Sequence, residues 1–411
     1  MSIKIIPFFS PLSSKEIREK IISELFLEKV QIISSEDFLS NKEANIQIGY
    51  NYIFVGTGGT ENDIANFVEQ VNLNQPIILL SYDSNNSLPA AMETRNFLNN
   101  QKIDAMIVHG SLTELATTIQ EWCYFIDIQE KLKNCQIGIV GNPSDWLIAS
   151  DIDEHAIERI WGTKIIKIPI EQILEYSNTE LGENIKAAKE KFIENSINME
   201  VTEEEIHHAS LIAGKLIEIA QEYNTDALTV ECFTLLTKTN ITSCFALSYL
   251  NSQGTAGCEG DIPSVFTMLL LRLLIGKPSF MANVVHVNVE RNSINLAHCT
   301  IPLQMLEKYS ITSHFESKKS VAIRGKFQTP QEVTILKIAG KDLTKWWVTE
   351  GKILKNLNNP SACRTQIEIV IDNPIDYFLK NSLANHHILI LGRHKHKIQE
   401  FIKFVLKEEI N

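Results

Sequence analysis

Up to Val140 the chain alternates short β-rich runs with amphipathic stretches, a pattern that restricts it to parallel strands joined by crossover helices. The strands read as IKIIPFF, VQIIS, NYIFVGTGG, PIILLSY, DAMIVHG and QIGIVG. Between them, Ser13 to Phe26, Glu61 to Val71, Pro89 to Leu98 and Leu112 to Leu132 carry apolar residues at helical spacing. The expected product is a doubly wound α/β domain. In such sheets ligands collect at the carboxyl ends of the strands, which singles out two loops, GTGGTEND after Phe54 and GNPSDW after Val140.

GTGGTE lacks the terminal Lys-Ser/Thr of a Walker A loop and does not follow G-x-G-x-x-G. Its glycines let backbone N–H groups approach an oxyanion or hydroxyl at a helix N-terminus, with Thr57, Thr60 and Glu61 as polar contacts. A tight strand-to-helix turn with a capping threonine explains the same residues.

A second alternating unit starts near Gln136 and holds TKIIKIP, two long helices (about Glu180 to Asn195 and Thr202 to Tyr223) and the strand DALTVEC. Thr202 and Glu205 fit a capping box. His207 and His208 are adjacent on the second helix, so they face different directions and make no compact metal clamp. After about residue 255 the character changes. GDIPSVFTMLLLRLLIG is helical, whereas FMANVVHVNV and SINLAHCTI form a hairpin around ERN, and SVAIRGKF, EVTILKIAG, KWWVTEGKIL and RTQIEIVID are further strands. A helix NPIDYFLKNSL, a strand HHILILG and an amphipathic helix close the chain. The fold class expected is α/β, with two doubly wound parallel-sheet domains (1–134 and 135–254) followed by a β-rich, barrel-like domain (255–411).

With 411 residues the chain exceeds one ordinary core, and 44% hydrophobic with 21% charged residues fits a folded protein. A formal charge of -12 opposes non-specific binding to nucleic acid, and the one dense basic run, GRHKHKIQE, reads as a solvated helix start. No segment offers the roughly 20 apolar residues that span a bilayer; VFTMLLLRLLIG contains Arg272 and ends at Gly276. The apolar run before Ser10 and Pro11 is too short for a signal-peptide core, and a cytoplasmic location is expected. The seven cysteines form no C-x-x-C pair and suit reduced, buried thiols, including Cys232, Cys258 and Cys299 beside the candidate site residues.

Glu231 in ALTVECF, Asp261 in GTAGCEGDIPSVF and His386 in LANHHILIL are metal-binding side chains at the edges of apolar segments, where an isolated charge is costly. Two carboxylates and an imidazole make an open site for a divalent cation such as Mn²⁺. Each also has a plainer explanation. Glu231 can pair with a cation or helix terminus, Asp261 can cap the helix that begins IPSVFTM, and a strand-end histidine can serve as a hydrogen-bonded structural residue. Glu259 competes with Asp261 for the carboxylate role, and His298 in SINLAHCTIP is a second histidine candidate. Strand alternation sends His386 and His387 to opposite faces.

Taken in order, GTGGTE, NSLPAAMETRNFL, GIVGNPSDWLIAS, ALTVECF, GTAGCEGDIPS, LAHCT and NHHILILG resemble the L-fucose isomerase/L-arabinose isomerase superfamily, particularly its shorter fucose-isomerase-like members. The resemblance implies aldose–ketose isomerisation of an open-chain monosaccharide or derivative through a cis-enediol, at Mn²⁺ or another divalent cation. It implies Glu231, Asp261 and His386 as metal ligands, with Glu231 and Asp261 also moving protons. His298 is implied at the metal or just behind it. It further implies a homo-oligomer, trimer or hexamer, with shared sites, in which Gly58, Gly59, Thr60, Glu61, Asn142, Ser144, Asp145 and Trp146 touch the sugar. Two other functions use similar features: a catalytically inactive carbohydrate-binding sensor, and a metal-dependent sugar lyase or aldolase.

Overall fold

The computed structural model describes residues 2–25, 27–45, 50–71 and 76–408. The chain packs as two compact units, residues 1–129 with 400–411, and residues 130–399.

The first unit holds a parallel sheet of β1 (Ile3–Phe8), β2 (Val30–Ile32), β3 (Asn51–Val55), β4 (Ile77–Tyr82) and β5 (Ala105–Gly110), in the order β2-β1-β3-β4-β5. Every residue of β3 and β4 is buried, as strands covered on both faces require. One face packs on the helices Glu61–Val71 and Ser87–Asn100 through Ile64, Phe67, Ala90 and Leu98. Elsewhere in this unit, Trp122 lies on Tyr52 and Phe401 lies edge-on to Phe125. The first helix is Lys15–Leu25; Phe26, its expected last residue, lies outside the described residues.

The second unit combines two sheets around one helix. The parallel sheet contains β6 (Gln136–Val140), β7 (Lys164–Ile168), β8 (Ala227–Val230) and β9 (Thr255–Cys258), ordered β7-β6-β8-β9. The strands β10 (Phe280–Asn288), β11 (Ser293–His298), β14 (Gln331–Ala339), β15 (Lys345–Asn356), β16 (Thr365–Ile371) and β17 (His386–Leu391) close an antiparallel barrel, while β12 (Lys308–Thr312) pairs with β13 (Ala322–Lys326) as a separate two-stranded sheet. SVAIRGKF is thus a strand outside the barrel, because its partner is the unanticipated strand KYSIT.

The helix Ile262–Ile275 packs on β6, β8 and β9 and also on β14 and β17, which explains why it is apolar on nearly every side. Asp261 caps its start, Pro263 occupies its first turn, and Gly276 ends it in a left-handed conformation at φ 76°. The helix Glu203–Glu222 begins with the capping box that Thr202 and Glu205 spell out. β9 and the helices Cys232–Thr239 and Cys244–Gln253 have no clear sequence signature: the strand is only TAGC, and the helices are too short to establish a period. The equally short Glu154–Trp161 is bounded by the Asp153 cap and Gly162 at φ 74°. Among the described residues, no helix is long and apolar enough to cross a membrane.

Candidate active site

Three neighbouring parallel strands end at the same edge, where each delivers part of the site. β6 leads into Asn142–Trp146, β8 into Glu231, and β9 into Glu259. Glu259 turns sharply off its strand, with φ 64° followed by φ 66° at Gly260. A Cβ at Gly260 would run into the carbonyl oxygen of Asn142, so only glycine fits beneath this loop. The turn is pinned by Ser144 N–H donating to the Glu259 carbonyl at 2.9 Å and Gly260 N–H donating to Val230 at 3.0 Å.

The barrel supplies the histidines. β10 lies between β11 and β17, and Asn283 on β10 is in register with both Ala297 and His386. His298, last on β11, and His386, first on β17, are thereby brought to one end of the two strands that flank β10, with ring centroids 5.6 Å apart. Their Nε2 atoms both approach Glu259 Oε1, at 3.8 Å from His298 and 3.5 Å from His386. One ligand atom from each of Glu259, His298 and His386 falls within 4.8 Å of the others, a buried group able to hold a metal ion.

Each ligand is oriented from behind. His386 Nδ1 lies 2.9 Å from Asp261 Oδ2, and His298 Nδ1 lies 2.9 Å from Thr300 Oγ1. With the proton on Nδ1 in both rings, Nε2 is left to coordinate. His386 Nε2 is buried and makes no hydrogen bond, the condition expected of an atom waiting for a cation. Glu259 Oε2 accepts from the Trp146 indole N–H at 2.7 Å, which leaves Oε1 for the histidines.

Asp261 is wholly buried. Its Oδ1 accepts from Ser264 N–H and its Oδ2 from Ser264 Oγ, alongside the His386 contact. Beyond it lies Lys337, also wholly buried, with Nζ 3.3 Å from Ser264 Oγ. Burial pushes the Asp261 carboxyl up, but the Lys337 charge, His386 and Ser264 N–H together hold it well below the usual carboxylate range. Burial also disfavours ionised Glu259, yet His298 and His386 outweigh it and keep this carboxyl low. For His386, burial disfavours the imidazolium and the contacts with Asp261 and Glu259 prevail, raising its pKa.

The structure therefore brings Asp261 and His386 together, but Glu259, weighed in the sequence only as an alternative to Asp261, is the carboxylate that meets both imidazoles. Glu231 sits at the end of β8 with Oε2 accepting from Asn142 N–H at 2.7 Å and Oε1 accepting from the Thr234 hydroxyl. His387 faces the other way, its Nε2 3.0 Å from the Tyr377 hydroxyl. Trp146 lines the cavity beside the site, half-exposed, with Phe233 edge-on at 4.8 Å. Ser144 Oγ is buried with no hydrogen-bond partner, whereas Asn142 and Asp145 are exposed. In the first unit, Gly58 N–H donates to the Asn85 carbonyl, Thr60 Oγ1 donates to the Thr57 carbonyl, and Glu61 opens the following helix. Lys337 was missed in the sequence, although a lysine within the apolar strand TILKIA is a visible anomaly.

The cavity in front of Glu259 and His298 has a volume of about 630 Å³, and Asn283, Thr300, Glu316, Asn359 and Asn385 are among its polar lining. That size and mixed lining suit a small polar organic molecule.

No family model matches the chain. It is similar to the sulfoquinovose isomerase of Alkalicoccus urumqiensis, 22% identical over 219 residues that cover 52% of this chain and 49% of the relative. It is also similar to the sulfoquinovose isomerases of Priestia aryabhattai and Priestia megaterium, each 23% identical over 224 residues covering 52% of this chain and 49% of the relative. The chain thus spans about half the length of the curated relatives it matches. These likenesses bear out the resemblance to the fucose and arabinose isomerases.

Proposed function

From this kinship with the fucose/arabinose isomerase-like superfamily, we propose that the chain is a metal-dependent aldose–ketose isomerase acting on an open-chain sugar or sugar derivative through a cis-enediol. The observation that carries the reading is the convergence of His298 and His386 Nε2 on Glu259 Oε1 beside a sugar-sized cavity that Glu259 and His298 line.

Moving a carbonyl from C1 to C2 removes a proton beside the carbonyl and returns one to the neighbouring carbon, while negative charge gathers on oxygen. Glu259, His298 and His386 would hold Mn²⁺ or another divalent cation, which supplies a counter-charge for those oxygens. Asp261 and Thr300 fix the two imidazoles, and Trp146 fixes Glu259, so the ligand set is preorganised before the sugar enters. We assign the proton transfer to Glu231, which ends the strand next to β9 and is less deeply buried than Asp261, whose Oδ2 is already committed to holding the His386 imidazole. Trp146, Ser144, Asn142 and Asp145 border the sugar. Gly58, Gly59, Thr60 and Glu61 contribute from a neighbouring copy in a homo-oligomer.

A panel of aldoses and ketoses, including deoxy-, sulfo- and phosphosugars, run in D₂O with Mn²⁺ and again after chelation, tests this reading. Isomerisation with deuterium incorporated at C1 of a ketose product or at C2 of an aldose product, lost on chelation and lost in Glu231→Gln, is expected. Absence of turnover together with absence of bound metal overturns it and favours a carbohydrate sensor; products with fewer carbons would point to a lyase.

A further inference from the structure

Five of the seven cysteines line the cavity: Cys232, Cys244, Cys258, Cys299 and Cys363. Cys244 and Cys299 pack with Ala322 and Cys363 as a small cluster. Cys232 and Cys258 form a separate thiol pair, the one that borders the site carboxylates. Their sulfurs are 3.0 Å apart, with the Cys258 thiol donating to Cys232, and both are free thiols. Each is next in sequence to a carboxylate of the site, Cys232 after Glu231 and Cys258 before Glu259. Cys232 opens the helix Cys232–Thr239 and Cys258 ends β9, in register with Val230 on the adjacent β8.

We propose that Cys232 and Cys258 form a reversible thiol–disulfide lock on the Glu259 centre, closed by a small-molecule disulfide that enters the cavity. This rests on the metal-site reading above for its consequence, not for its chemistry. A disulfide needs the sulfurs about 2.05 Å apart, so closure draws the pair together by roughly 1 Å. Gly260, whose N–H is bonded to the Val230 carbonyl at 3.0 Å, holds the far side of Glu259. The displacement therefore falls on Glu259, whose Oε1 must sit between two imidazole nitrogens that the barrel holds in place. The exchange is balanced. Cys232, whose sulfur accepts from the Cys258 thiol, attacks the small disulfide and expels one small thiol, and the Cys258 sulfur then displaces the other. The protein thiols lose two protons and two electrons, which leave on the two small thiols.

The test treats the reduced full chain with bis(2-hydroxyethyl) disulfide, then maps linked peptides by mass spectrometry and titrates Mn²⁺ by calorimetry. The expected result is a peptide joining Cys232 to Cys258, a product lighter by two hydrogen atoms, and Mn²⁺ affinity lowered by about 10- to 100-fold, restored by dithiothreitol. Cys258→Ser should trap mercaptoethanol on Cys232, and Cys232→Ser should keep its Mn²⁺ affinity after the same treatment. A link among other cysteines, mixed disulfides without a link, or a Cys232–Cys258 link with unchanged Mn²⁺ affinity overturns the proposal. If the reduced protein binds no Mn²⁺, the metal reading falls with it, while the peptide map alone decides whether the disulfide forms.

Discussion

His386 divides its ring between two tasks, Nδ1 on Asp261 and Nε2 toward Glu259, and Asp261 is in turn held by Ser264 and the buried charge of Lys337. Asp261→Asn should keep the helix cap through its amide oxygen but lose the charge that fixes the imidazole. We expect Mn²⁺ affinity to fall about 10- to 100-fold with a small change in unfolding temperature, read by calorimetry. His387, one residue on, is a contrasting case. Burial, then the Lys337 charge, pushes its pKa from 6.5 down to about 3, and the ring is enclosed by Trp347, Tyr377 and Phe378. The unfolded chain takes up this proton below 6.5 and the folded protein does not until about 3. Its stabilisation is therefore full above 6.5 and is lost as pH falls across that window, at no more than about 1.4 kcal/mol per pH unit. In metal-free protein, His387→Phe should flatten the denaturation midpoint against pH over this range; an unaltered slope would show that other groups govern acid sensitivity.

At the scale of elements, the site depends on strand ends whose turns leave no spare room. Gly260→Ala would place a Cβ against Asn142 in a residue at φ 66°, costing about 1–3 kcal/mol and displacing Glu259. Thermal unfolding and Mn²⁺ titration of this variant should both worsen; loss of stability alone would separate the turn from the ligand. Many elements were legible because their signals are local. The capping box at Thr202 and Glu205, the cap and glycine stop of Ile262–Ile275, and the opposite directions of His386 and His387 all follow from neighbours within a few residues. β9 and the helix Cys232–Thr239 were not legible, since four or eight residues do not establish a period. β9 stops one residue before Glu259, so the placement of Glu259 beside the end of β8 and Glu231 rests on a four-residue strand that carries no local signal.

For the molecule as a whole, a cation bound by the folded state alone should raise its unfolding temperature. Mn²⁺ at 100 times its dissociation constant adds about 2.7 kcal/mol to the unit that carries the site. Differential scanning calorimetry should show this shift in the native chain and its loss in His298→Gln, whose remaining ligands cannot hold the ion as tightly. The alternating pattern of strands and helices, followed by a run of strands, determined two parallel sheets and a β-rich remainder, because periodicity of apolar residues is a property of the linear chain. It also placed carboxylates and histidines at the strand ends where a ligand would meet them. Which of them converge was decided only by tertiary structure. Barrel closure sets β17 beside β10, whose other neighbour is β11, bringing His386 to His298 from 88 residues away, and a left-handed turn selects Glu259 over its neighbours. Such long-range register is fixed by packing of the whole core, and no local stretch of residues encodes it.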